Sequence, residues 1–87
     1  MFLHLGNDVV IRKADVLAVF DLDNTSQSHL TRRFLAAAEK DGAVVNAAGE
    51  ELPKSFVLCS RKGGQVVYLS QLNPSTLLRR SEALGVN

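Results

Sequence analysis

Apolar positions in this chain fall into short runs separated by turn residues, and their spacing changes along its length. Phe2–Leu5 and Val9–Ile11 predict two short strands joined at Gly6-Asn7-Asp8, a cluster with turn chemistry. Val16–Phe20 is apolar without alternation, which predicts a strand covered on both faces. From Ser26 to about Lys40 the period lengthens. Leu30, Phe34, Leu35, Ala37 and Ala38 recur at helical spacing and form an apolar stripe. The other side of this helix carries His29, Arg32, Arg33 and Lys40, a basic stripe. Asp41-Gly42 ends it, because glycine takes the left-handed conformation that closes a helix at little cost.

Val44-Val45 predicts a further short strand leading into the loop Ala48–Lys54. Ser55–Cys59 and Gln65–Leu69 predict two more strands, with Gly63-Gly64 as the hairpin signal between them. Both are apolar on both sides. One side can pack on the helix, and the other is expected to be covered by a partner subunit. Asn73-Pro74 reads as an N-cap followed by proline at the first helical position, opening a short helix to about Arg80. These elements predict an α+β fold: a small, mainly antiparallel β domain of about six short strands, one packed amphipathic helix and a short C-terminal helix. It forms a single domain over residues 1–81, with a flexible tail at 82–87.

Length sharpens this picture. A chain of 87 residues buries a little over ~60% of the surface its unfolded form exposes, so its core is thin. Hydrophobic content is nevertheless 46%, and a single cysteine excludes an internal disulfide. Homo-oligomer formation is therefore expected. Cys59 reads as a small buried apolar residue rather than a reactive thiol. The N-terminus lacks a basic region, a long apolar run and a cleavage site, and no stretch approaches the ~18 apolar residues of a membrane span. A cytoplasmic protein with no membrane contact is expected.

One motif suggests chemistry. Val19-Phe20-Asp21-Leu22-Asp23-Asn24-Thr25 is an apolar strand ending in Asp-x-Asp-x-Thr, as in the haloacid-dehalogenase phosphatases. There the first Asp attacks phosphorus and the second serves as acid and base beside Mg²⁺. That site also needs a Ser/Thr and a Lys on the phosphoryl oxygens, a second acidic cluster and a much larger parallel sheet. After Asp23 the acids are Glu39, Asp41, Glu50, Glu51 and Glu82, and none follows a long crossover as required. No enzyme, and no cofactor, is expected. Asp21 and Asp23 instead leave the strand end, and Asn24-Thr25-Ser26 supply helix caps. His4 and His29 have no acidic or Cys companions at ligand spacing, so no metal site is expected.

Charge is distributed unevenly. Met1–Pro53 holds five basic and eight acidic residues. Lys54–Arg80 holds Lys54, Arg61, Lys62, Arg79 and Arg80 and no acids. Such a segment can touch phosphates or simply be solvated. Zinc-finger spacing, a single-strand aromatic platform and a clear helix-turn-helix are all missing.

The opening MFLHLGNDVVIRKADVLAVFDLD, the segment VVNAAGEELPKSFVL and the later VYLSQLNPSTLLRR resemble the small bacterial extracellular-matrix regulatory protein family, in its RemB type. The resemblance runs from Met1 to about Arg80. It implies a cytoplasmic regulator that promotes transcription of biofilm-matrix genes. For the RemA-type branch it implies a LytTR-like subunit in a ring-shaped homo-oligomer that holds double-stranded DNA along its rim. In that branch the loop after the strand following the helix carries Gly-Arg-Arg. Here the corresponding run is Gly49-Glu50-Glu51-Leu52-Pro53-Lys54, where two carboxylates would repel phosphate.

Two functions remain open on this basis. The first is an oligomeric DNA-binding regulator that uses Arg32, Arg33, Lys54, Arg61 and Lys62 on the phosphate backbone, with little base readout. The second is an oligomeric interaction protein that supports a regulator, such as a RemA-type protein, without touching DNA.

Overall fold

The computed structural model describes residues 2–22 and 29–84. In chain order the elements are β1 (Phe2–Gly6), β2 (Val9–Arg12), a 3-10 turn at Lys13–Asp15 and β3 (Val16–Asp21). Then come α1 (His29–Lys40), β4 (Val44–Asn46), β5 (Ser55–Arg61), β6 (Gly64–Ser70) and α2 (Pro74–Leu84). The fold is α+β and mainly antiparallel, with two helices.

The main sheet has the order β3-β5-β6-β4, with β5 antiparallel to both of its neighbours. β4 pairs with β6 in parallel. β3 and β4 therefore run in the same direction, and the chain between them must cross over, which is the task of α1. β1 and β2 form a separate antiparallel hairpin.

Turn chemistry sets both hairpins. Asn7 and Asp8 have φ of 46° and 64°, giving two consecutive left-handed residues that match the twist of the flanking strands. At the second hairpin Arg61 pairs with Gly64, so the loop residues are Lys62 and Gly63, again both at positive φ. The end of α1 follows expectation. The Gly42 amide donates to the Glu39 carbonyl at 3.0 Å and the Ala43 amide to the Ala38 carbonyl at 2.8 Å, the paired bonds of a Schellman closure. The start of α2 does too: the Asn73 side-chain oxygen accepts from the Thr76 amide at 2.8 Å and from the Ser75 hydroxyl at 2.7 Å. α2 continues to Leu84, a turn beyond the expected end. The expected caps at Asn24-Thr25-Ser26, and Asp23, lie outside the described residues.

The two faces of the sheet are covered differently. On one face, Val57, Cys59 and Tyr68 meet Leu3 and Leu5 of β1, Ile11 of β2, Ala47, and Leu77 of α2 in a single buried cluster. Two buried hydroxyls tie this layer down. The Ser70 hydroxyl donates to the Leu5 carbonyl at 2.7 Å, and the Ser55 hydroxyl donates to the Leu72 carbonyl at 2.7 Å. The expectation that a partner subunit would cover the second side of β5 and β6 is thus corrected: the chain's own hairpin and second helix cover it. The strand pattern was two-sided for that reason.

The other face carries Phe56, which stacks on Phe20 with ring centroids 4.5 Å apart and faces Phe34 of α1 at 6.4 Å. This cover is incomplete. No described residue of α1 is buried, and Leu30 of its apolar stripe is 74% exposed. β3 is an edge strand, not the doubly covered one expected, with Leu17 55% and Phe20 42% exposed. An apolar run reports that burial is wanted. It does not report whether the same chain supplies it.

Candidate nucleic-acid interface

The five cations expected to touch phosphate do not form one patch. Arg32 and Arg33 lie exposed on α1, beside the open apolar stripe. Lys54 is exposed just before β5, while Arg61 and Lys62 are exposed at its far end. Seven residues of extended chain separate these ends by roughly 23 Å. A ligand touching all five must be large.

The Lys54 end is rigidly held. The Lys54 amide donates to the Ser70 carbonyl, and the Lys54 carbonyl accepts from the Leu22 amide, each at 2.8 Å. The preceding loop is also pinned. The Asn7 side-chain amide donates to the Ala47 carbonyl at 2.9 Å, and that of Asn46 to the Gly49 carbonyl at 3.2 Å. Gly49 has φ of 65°, and a Cβ there would lie 2.7 Å from the Asn7 side-chain nitrogen, so the loop needs glycine at this point. Glu50 and Glu51 project into solvent from this fixed base.

The Arg61 end differs. Arg61 and Lys62 line a cleft of about 340 Å³ together with Arg12 at the end of β2, and Cys59 and Tyr68 help to line it. Arg61 Nη1 donates to the Tyr68 hydroxyl at 3.1 Å. That hydrogen bond, more than any neighbouring charge, raises the guanidinium pKa above its ordinary value. Arg12 has a loose ion pair with Asp15 at 3.9 Å. Lys13 turns away and donates to the Ser81 carbonyl at 2.8 Å. Burial, and then the charge of Asp15, pushes the Cys59 thiol up to about 11, so it stays protonated near neutral pH.

A family profile described as extracellular matrix regulatory protein A-like matches residues 2–80, from the first strand into the second helix. The chain belongs to the extracellular matrix regulatory protein A-like family. It is also 33% identical over 82 residues to extracellular matrix regulatory protein B of Bacillus subtilis (strain 168), a match covering 94% of this chain and 91% of that protein.

Of the three cations that line this cleft, sequence reasoning singled out Arg61 and Lys62 and not Arg12. The signal was available in the alternation of β2, where Val10 and Arg12 point outward and Ile11 inward. What was missing was the docking of the first hairpin on the sheet. Among the described residues, no group of three or more His, Cys, Asp or Glu side chains could hold a metal ion. No described helix is long and apolar enough to cross a membrane.

Proposed function

We propose that this chain is a homo-oligomeric, ring-type DNA-binding regulator of biofilm extracellular-matrix genes, with a LytTR-like subunit that acts in the cytoplasm and grips the phosphate backbone through basic side chains. The observation that carries this reading is α1. Its apolar stripe is open beside the edge strand β3, and Arg32 and Arg33 stand exposed on the same helix. A second copy covering the open stripe would repeat this cationic pair once per subunit. Modest charge per chain then multiplies by avidity on a duplex long enough to follow the assembly. Family membership supports the regulatory role.

Mobility shifts on short and long duplexes at two salt concentrations test this reading. Long duplexes should bind far better than short ones, with a log–log salt slope of about −0.9 per phosphate neutralised. Arg32→Ala with Arg33→Ala should weaken binding evenly across sequences and flatten the slope. Absence of any shift on long duplexes at low salt contradicts it.

A second reading, an interaction protein that supports a RemA-type regulator without binding DNA, is favoured by the pinned loop carrying Glu50 and Glu51 where the resemblance implies an arginine pair. It prevails if the wild type never shifts DNA while Glu50→Arg with Glu51→Arg does. Neither reading assigns catalysis to Asp21 or Asp23. Asp21→Asn should leave Mg²⁺-dependent phosphatase turnover at background.

A further inference from the structure

The cleft between the first hairpin and the β5–β6 turn is a different kind of surface from the exposed helix face. It is concave, and its volume of about 340 Å³ is at the lower end of small-ligand sites, which run to roughly 300–1,000 Å³. Cations stand on both of its walls: Arg12 from β2, and Arg61 at the end of β5 with Lys62 in the turn that follows.

One of these cations is oriented in advance. Tyr68 is nearly buried between the sheet and the hairpin, and its hydroxyl accepts one N–H of Arg61 at 3.1 Å. The guanidinium retains four further N–H donors in a planar fork, a geometry suited to two oxygens of one anion. Fixing it beforehand lowers the ordering that binding would otherwise require. Among the described residues, Arg12 has only the 3.9 Å pair with Asp15, a separation a competing anion can break.

Charge and apolar lining narrow the ligand. Three cations less the one carboxylate of Asp15 leave +2 in the cleft lining. A phosphate monoester carries about −1.5 to −2 near pH 7, so it matches that charge. A DNA phosphodiester carries one negative charge and needs no enclosed cavity. Phe2 and Val10 also line the cleft and are exposed, leaving an aromatic ring and an apolar side chain for the rest of the ligand to rest on. Aromatic faces beside cationic groups stack bases.

We propose that this cleft binds a small phosphate monoester of the nucleotide class, its phosphate held by Arg12, Arg61 and Lys62 and its ring against Phe2 and Val10. This site does not depend on DNA binding. An occupant would withdraw Arg61 and Lys62 from any duplex, which gives a regulator a way to sense a metabolite.

The test is an NMR titration of the whole chain with adenosine 5′-monophosphate, using adenosine, inorganic phosphate and a short duplex as separate arms. The monophosphate should shift the amides of residues 10–12 and 59–62 saturably, inorganic phosphate should shift the same set more weakly, and adenosine should do little. Arg12→Ala and Lys62→Ala should each weaken binding about tenfold, while Arg79→Ala with Arg80→Ala on α2 should leave it unchanged. Tyr68→Phe keeps the ring packing but frees Arg61, and should weaken binding several-fold without unfolding the chain. Non-saturating shifts spread over every basic residue would overturn the proposal. So would occupation of the cleft by the duplex alone.

Discussion

The two faces of the β3-β5-β6-β4 sheet are built from similar apolar residues, yet only one has a closed centre. The centre of the face under the first hairpin and α2 is sealed by Leu3, Leu5, Ile11 and Leu77, with hydroxyl groups of Ser55 and Ser70 bonded to the Leu72 and Leu5 carbonyls, while Val19 and Val45 at its two edges stay 39% exposed. The face under α1 holds an aromatic stack of Phe20, Phe34 and Phe56 but leaves Phe34 39% exposed and Leu30 almost free. The closed face holds the subunit together. The open face leaves apolar surface exposed next to the edge strand β3, and this is the surface the proposed assembly would cover.

Equivalent substitutions on the two faces should separate these roles. Leu5→Ala removes a fully buried side chain and should destabilise by about 2–5 kcal/mol in urea denaturation. Ser70→Ala strands the Leu5 carbonyl and the Leu72 amide, and should lower stability by about 1–3 kcal/mol. Asn73→Ala removes the cap of α2, which closes the sealed face, and should lower stability by about 1 kcal/mol. Leu30→Ala, the same chemical change as Leu5→Ala on the open face, should alter the subunit's own stability by less than about 0.5 kcal/mol. A large loss at Leu30 in a monomeric preparation would erase the distinction.

The sealed face also has a pH signature. Folding raises the Cys59 pKa from 9.0 to about 11, so the folded state favours the neutral thiol. Its contribution to stability is therefore complete below about pH 9 and lost as pH rises through about 11. Urea midpoints should fall over that window, less so in Cys59→Ala than in the parent. At pH 8 the native thiol should resist alkylation that proceeds readily in urea.

Much of the architecture was legible in local patterns. Periodicity and turn residues gave the order of strands and helices, Asp41-Gly42 the end of α1, and Asn73-Pro74 the start of α2, because each depends on residues a few positions apart. What lay beyond those patterns was long-range. The docking of the first hairpin depends on contacts such as Ser70 with Leu5, 65 residues apart, and nothing local in either segment announces it. That missing contact is why the second side of β5 and β6 was assigned to a partner, and why the placing of Arg12 in one cleft with Arg61 and Lys62 could not be read from the sequence. The separation of Lys54 from Arg61, by contrast, could be read from strand length alone.

In the proposed assembly, another copy docks on the α1 and β3 face and not on the sheet side under the hairpin. Sedimentation velocity at micromolar concentration, comparing the wild type with Leu17→Asp combined with Leu30→Asp, tests it most directly. Both residues are more than half exposed in the single chain, so the double variant should keep its native circular dichroism. A discrete multimer is expected for the wild type and a folded monomer for the variant. A wild-type monomer, or a variant that assembles as the wild type does, would contradict the proposed assembly.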